Sequence, residues 1–375
     1  MMTTRTNPTP HPLRKILTER IAIIDGAMGT TIRTYGMKES DIRGERFRDA
    51  GKDLLNNGDL FSLTQPEMIC DIHRRFLEAG ADIIETNTFG ATSITQSEFF
   101  VEDPRERGGR KDPEFYQKIL ETPMLNELAW DINFTSAQQC RAWADRVANA
   151  TGRQRFVAGA IGPLTVSLSN SPDADDAGFR VVTFDQVKEA YKLQVRALIA
   201  GGVDLLLVET IFDSLNAKAA LVAIREVFDE DGIASRKQEL PIMISAAVGR
   251  GGETLISAQT TEAFWTAVKH VKPLSVGLNC SLGPDLMYPF LSELSAKADV
   301  AISCYPNAGL PNPLSETGFD LRPPDMARFL GGFAQDGLIN IAGGCCGNTP
   351  EHIAAIAKAL EDKQPRRLEP DAVAA

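Results

Sequence analysis

Short apolar runs rich in β-branched residues recur along the chain. They fall at Ile21–Ile24, Ala81–Ile84, Phe156–Ile161, Val203–Val208, Pro241–Ala247, Leu274–Leu278, Val300–Ser303 and Leu338–Ala342. Runs this short, bounded by polar and glycine positions, read as buried strands rather than helices. Most are separated by a stretch of helical period: Pro66–Ala79, Phe184–Ala200, Ser214–Phe228, Thr261–Val271, Asp285–Lys297, Pro324–Phe333 and Pro350–Leu360. Proline near the start and glycine after the end punctuate the first of these, and Gly201-Gly202 ends the second. Strand then helix, eight times over, predicts an α/β fold: a single-domain (β/α)8 barrel. A doubly wound open sheet is the alternative. No G-x-G-x-x-G follows the first run, so its dinucleotide-binding version has no support.

The barrel is expected over residues 13–361, with a flexible arm at 1–12 and a flexible tail at 362–375. Two segments break the rhythm. Thr31–Thr64 reads as a long polar connection, and Phe99–Met124 as a charged insertion, the kind of loop that is usually functional or mobile.

Barrel enzymes draw their active-site groups from the C-terminal ends of the strands. Polar residues cluster there: Asp25-Gly26-Ala27 after the first run, Glu85-Thr86-Asn87 after the second, Glu209-Thr210 after the fourth, Asn279-Cys280 after the sixth, Tyr305-Pro306-Asn307 after the seventh and Gly343-Gly344-Cys345-Cys346-Gly347 after the eighth. Any one acid or amide could be a helix cap. Their joint placement at one rim favours a site.

Cys280, Cys345 and Cys346 stand out. Strands six and eight are close enough for their ends to reach one point. Two adjacent cysteines on a regular strand face opposite sides, but the flanking glycines let the backbone leave the strand. Three thiolates make a metal site with one open position, the mark of a catalytic rather than a structural zinc site. Such a centre is a poor generator of hydroxide. It suits binding an incoming thiol and ionising it near neutral pH, ready for an alkyl donor. The acidic rim fits a substrate amino group, and the glycine-turn amides fit a carboxylate. Cys70 and Cys140 read as buried packing residues, and Cys304 as packing with a secondary chance of joining the cluster. The four histidines are scattered and form no zinc-binding spacing.

Composition narrows the partners. A net charge of −11 argues against nucleic acid and against an anionic membrane surface. No apolar run approaches the ~18 residues of a membrane helix, and the polar, Pro-rich start has no hydrophobic signal core. The expected location is the cytoplasm, where cysteines are more often free, metal-bound or catalytic than disulfide-paired.

The segments DGAMGT (25–30), SLTQPE (62–67), HRRFLEAGADIIETNTFGATS (73–93), GAIGP (159–163), SPDADDAGFR (171–180), GGVDLLLVETIFDSLNAKAA (201–220), SVGLNCSLGP (275–284), YPNAGLPN (305–312) and GGCCGNTPEHI (343–353) resemble the homocysteine-binding module of cobalamin-dependent methionine synthase. The likeness runs over about residues 13–361. It implies a (β/α)8 barrel with Zn2+ held by Cys280, Cys345 and Cys346. L-homocysteine would bind there through its sulfur and take the methyl group of methylcobalamin, giving methionine and cob(I)alamin. Asp25, Gly26 and Glu209 would contact the amino-acid end, with Ala27, Glu85, Asn87 and Asn279 as further substrate contacts. Asn307 would fill the fourth metal position when homocysteine is absent.

Full-length relatives continue into folate- and cobalamin-binding modules. This chain has no second barrel and no D-x-H-x-x-G motif, so the resemblance implies a stand-alone subunit whose separate partner polypeptide carries cobalamin and folate. The insertion near 101–120 is longer than usual, and Ala246–Gly251 departs from the common loop. Three alternatives stand beside this reading: transfer from S-methylmethionine or betaine, a non-catalytic homocysteine-binding scaffold, and a structural zinc protein. Betaine needs an aromatic cage, and Gly90 stands where that branch places a cage tyrosine.

Overall fold

The computed structural model describes residues 11–230, 233, 240–315 and 318–368. Eight parallel strands form the sheet: β1 (Ala22–Ile23), β2 (Ile83–Glu85), β3 (Phe156–Ile161), β4 (Leu205–Ile211), β5 (Ile242–Ala246), β6 (Ser275–Asn279), β7 (Ala301–Tyr305) and β8 (Ile341–Ala342). From β2 to β8 each pairs with the next in sequence, and β8 pairs with β1. Between β1 and β2 the barrel closes through an Ile24–Ile83 bridge, with the Asp25 amide donating to the Ile83 carbonyl at 3.0 Å. The fold is therefore a single-domain (β/α)8 barrel, as the alternation of runs predicts.

Two apolar layers hold it together. Inside the barrel, Ile24, Ile83, Phe156, Leu205, Leu207, Met243 and Ile341 pack against one another, with Leu13 and Leu17 joining the same cluster from the helix Pro12–Glu19. A larger layer lies between the strands and the surrounding helices. Strand alternation then decides what stands at the top of the lumen. Glu85 shares a face with Ile83, Glu209 with Leu205 and Leu207, Tyr305 with Ala301 and Ser303, and Asn279 with Ser275 and Gly277.

Local chemistry fixes the helices. Ser214–Phe228 starts at Asp213, whose side chain accepts from the Leu215 amide. Phe184–Gly201 opens with a Thr183–Gln186 capping box and stops at Gly202, which takes φ +97°.

Three stretches differ from the sequence reading. The charged insertion contains a regular helix, Pro113–Glu121, capped by Asp112. The helix Pro123–Thr151, 29 residues long, follows it directly and fills the second helical place of the barrel. The polar connection 31–64 contains the short helices Glu39–Arg43 and Phe61–Thr64. At the chain ends, the first helix begins at Pro12, capped by His11. Residues 362–368, placed in a tail by composition, lie against the barrel: the Arg366 guanidinium donates to the carbonyls of Ser295, Ala298 and Val300. The rest of the expected arm and tail, 1–10 and 369–375, lies outside the described residues. Among the described residues no helix is long and apolar enough to cross a membrane.

Candidate active site

The three cysteines meet at the C-terminal mouth. β6 ends at Asn279, and the next two residues turn left-handed, with φ +57° at Cys280 and +50° at Ser281. Non-glycine residues resist this region. Here the turn is tied down by the Ser281 hydroxyl donating to the Val248 carbonyl (2.6 Å) and the Leu282 amide donating to Cys280 (2.6 Å). After β8 the backbone leaves the strand where expected. Gly343 and Gly344 allow it: a Cβ on Gly343 would stand 2.4 Å from the Ile24 carbonyl oxygen, and one on Gly344 would run into the Asn348 side chain. The turn is stitched to its neighbours through the Cys345 amide on Pro306 (2.8 Å), the Ala308 amide on Cys346 (2.9 Å) and the Gly347 amide on the Thr30 hydroxyl (3.0 Å).

The Sγ atoms of Cys280, Cys345 and Cys346 lie within 4.8 Å of one another, with Cys280 and Cys346 at 3.9 Å. Tetrahedral zinc with ~2.3 Å bonds holds its sulfurs about 3.8 Å apart, so the donor set fits the ion. All six cysteines are free. Hydrogen bonds from Cys280 and Cys345 pull the Cys346 thiol down to about 3, while the bonds that Cys345 makes to the other two push it well up. Three adjacent thiols share one negative charge unless a cation compensates the rest. Cys304 stays out of the cluster; it is fully buried and its thiol faces Met287 Sδ at 3.6 Å.

Beside the sulfurs lies a second cluster. Asp25, Glu85 and Glu209 face one another in the lumen, and burial raises all three carboxyl groups, Glu209 to about 7. Asp25 Oδ2 accepts from the Glu85 amide at 3.0 Å, while buried Oδ1 has no partner. Buried acids without a cation are costly unless a ligand supplies one.

The other candidates are held as follows. The Asn87 amide is committed to the Gly58 carbonyl and the Ser62 hydroxyl, both at 3.0 Å. Asn279 is fully buried and bonds Thr210 and Glu209. Gly26 is packed so tightly that a Cβ would meet the Asn348 carbonyl at 2.6 Å, and the Ala27 amide donates to that same carbonyl. Asn307 has its amide on Leu282 (3.0 Å) and its buried Oδ1 unpaired, so a donor atom is available beside the sulfur turns.

Three further residues stand in places that the sequence reading did not assign to the site. Tyr305 stands in the lumen on the face of Ala301 and Ser303, where burial raises its hydroxyl and the charges of Glu209 and Glu85 raise it further. Cys140 meets His73 Nε2 at 3.2 Å beneath the Glu85 carbonyl. Asp59 accepts from the Gly90 amide at 2.9 Å and holds the turn at the mouth. Burial lifts the Asp59 carboxyl to about 7 against its backbone bonds from Gly90 and Phe89.

Asp59 gives a pH prediction. Its folded pKa lies above the unfolded value, so its contribution to stability is full below about pH 4 and is lost as pH rises through about 7. Asp59→Asn removes this titration. Its melting temperature should therefore fall less than the wild type's between those limits, a difference of at most about 1.4 kcal/mol per pH unit. Superimposable melting-temperature profiles for the two proteins would contradict the assignment.

A barrel with three thiols and three clustered acids at its mouth fits a thiol-handling enzyme, and the comparisons specify the class. The homocysteine S-methyltransferase family profile matches residues 22–360. The chain belongs to that family and is an S-methyltransferase. Among solved structures it is similar to the homocysteine methyltransferase MmuM from Escherichia coli. The metallated form gives a TM-score of 0.65 at 19% identity, covering 93% of this chain and 99% of that one. The oxidized form gives 0.61 at 19%, covering 90% and 95%. The apo form gives 0.61 at 18%, covering 94% and 100%. At such identities the likeness bears on the fold.

Proposed function

We propose that this barrel transfers a methyl group to the sulfur of L-homocysteine, with Zn2+ held by Cys280, Cys345 and Cys346. The donor is methylcobalamin, presented by a separate cobalamin-binding domain or polypeptide. One observation carries this reading: three thiols at zinc spacing share a mouth with three acids, two buried and one half-buried, that meet no cation among the described residues. Zinc, when bound, supplies the charge that keeps an entering thiol ionised.

The chain's own residues do the rest. Asp25, Glu85 and Glu209 receive the substrate ammonium, and the turn of Gly26 and Ala27 faces its carboxylate. The unpaired Oδ1 of Asn307 serves as the fourth donor before substrate enters. With methylcobalamin as the donor, the homocysteine sulfur would take the methyl group and the bonding electron pair would leave with the donor. The thiol proton leaves to solvent, and the products are methionine and cob(I)alamin. The free thiols suit a reducing compartment, and we place the protein in the cytoplasm.

Gly90 weighs against betaine. A side chain there would meet Asp59 Oδ2 at 2.8 Å and Thr95 Cγ2 at 3.0 Å, so the position has no room for a cage aromatic.

The test is the loss of methylcobalamin absorbance when the zinc-loaded chain meets homocysteine. Demethylation that requires both zinc and homocysteine is the expected result. If homocysteine binds and no demethylation follows, the donor must be presented by a partner protein or is a different molecule, and S-methylmethionine is the next to try. If turnover fails with every donor while homocysteine binds, the chain is a scaffold.

A further inference from the structure

Strand β4 is irregular at one place. Its register with β5 runs evenly from Leu206 to Val208 and then shifts before Ile211 pairs with Ala246. Glu209 and Thr210 occupy the gap. A bulge of this kind re-aims a side chain and is common beside active sites. Thr210 takes φ +52°, a region that a β-branched residue enters only under constraint.

The constraint comes from the end of β6, the second strand over from β4. Asn279 Oδ1 accepts from the Thr210 amide at 3.1 Å. Asn279 Nδ2 donates to Thr210 Oγ1 at 2.8 Å and to Glu209 Oε2 at 3.3 Å. The Thr210 hydroxyl in turn donates to Glu209 Oε2 at 3.3 Å. An asparagine side chain offers two N–H donors and one carbonyl. Both donors and the carbonyl are engaged here, and the residue is fully buried. No donor is left for a substrate.

We propose that Asn279 is a positioning residue rather than a substrate contact: it clamps Thr210 in its left-handed bulge and thereby holds the Glu209 carboxylate toward the substrate ammonium. This rests on the homocysteine reading above. Because Cys280 is the next residue, one short segment sets both a metal ligand and the aim of the amino-acid recognition group, across two strands. That arrangement ties the distance between the sulfur site and the ammonium site to a single peptide, so it fixes the length of amino thiol that fits.

The test measures homocysteine affinity by calorimetry and zinc content by metal analysis, on zinc-loaded proteins. Asn279→Ala is expected to bind homocysteine at least about tenfold more weakly while keeping its zinc. Glycine adopts the left-handed region without cost, so the double variant Asn279→Ala/Thr210→Gly is expected to regain at least half of that loss on a logarithmic scale. Thr210→Val keeps the shape, removes the hydroxyl and provides an independent variant. It is expected to weaken homocysteine binding several-fold, again without loss of zinc.

An Asn279→Ala protein that binds within twofold of the wild type would overturn the proposal. So would a double variant no better than Asn279→Ala, since a direct substrate contact is not rescued at position 210. Parallel loss of zinc and homocysteine would mean that Asn279 acts through Cys280 instead. Absence of homocysteine binding by the wild type would defeat the functional reading alone. A crystal structure of Asn279→Ala still tests the clamp in that case, because Thr210 should leave the left-handed region.

Discussion

Cys280→Ala is expected to lose most of its zinc and all measurable turnover, while the barrel still folds. Cys280 lies past the end of β6, in a turn at the mouth, and only partly buried. Its sulfur is 3.9 Å from that of Cys346, and its side chain contributes little to either apolar layer. Removing it takes one of three sulfurs from the ion, and two thiols cannot complete a tetrahedral shell. Loss of a residue that merely supports a metal ligand costs about 10–100-fold in affinity or activity, so loss of a ligand should exceed that. The metal-free variant should melt within about 2 kcal/mol of the metal-free wild type, the range of an ordinary partly exposed substitution. Metal analysis, a turnover assay and melting of both apo proteins check these three points. A variant that keeps its zinc and turns over would sink the three-thiolate assignment.

The barrel was legible because its strands are buried on both faces and read as continuous apolar runs. Phe156–Ile161 coincides with β3 at both ends, and Ser214–Phe228 is a helix over the stretch its spacing predicts. The runs blurred where polar function enters a strand. β4 continues through Glu209, Thr210 and Ile211, and β7 through Tyr305, beyond the apolar stretch that marked each. The long helix Pro123–Thr151 was hidden for a different reason. It carries buried Asn133 and Ser136 alongside its apolar residues, so its apolar stripe is interrupted. The helix Pro113–Glu121 has a readable start, Asp112 followed by Pro113, but it buries only Tyr116 and Ile119, too narrow an apolar stripe to stand out among the charges around it.

At the site, residue type and rim position were enough to bring the cysteines and the acids together. They did not separate residues that face the lumen from those that hold them. Asn87 and Asn279 have the same chemistry and comparable positions, yet one ties the 58–62 segment to the barrel and the other bonds a bulge in β4. Nothing in spacing alone reveals a left-handed threonine, because the constraint on it comes from a strand 69 residues away in the chain. Hydrogen-bond saturation, visible only in three dimensions, makes that distinction.

Glu209→Gln should show two effects of opposite sign. Glu209 is buried with Asp25, and Glu85 lies half-buried beside them. Burial raises each carboxyl group, and for Asp25 and Glu85 the Glu209 charge raises it further. Before substrate arrives, burial and mutual repulsion favour the protonated forms of these acids, so ionising the cluster is costly. An ammonium entering among the three acids relieves it, which is how stored repulsion becomes recognition. Glutamine keeps the shape and an oxygen for Asn279 Nδ2, but removes one charge. The substrate-free variant should therefore melt at a higher temperature than the wild type, the usual exchange of function for stability at a strained site. Homocysteine should bind about 2 kcal/mol more weakly, roughly 30-fold, since truncating one partner of a buried charged pair costs at least this much. Zinc content should not change, because no oxygen of Glu209 belongs to the sulfur cluster. Calorimetry, metal analysis and melting separate the three quantities. Equal loss of zinc and homocysteine would make Glu209 a structural residue, and a lower melting temperature would mean that its hydrogen bonds to Thr210 and Asn279 outweigh the repulsion among the acids.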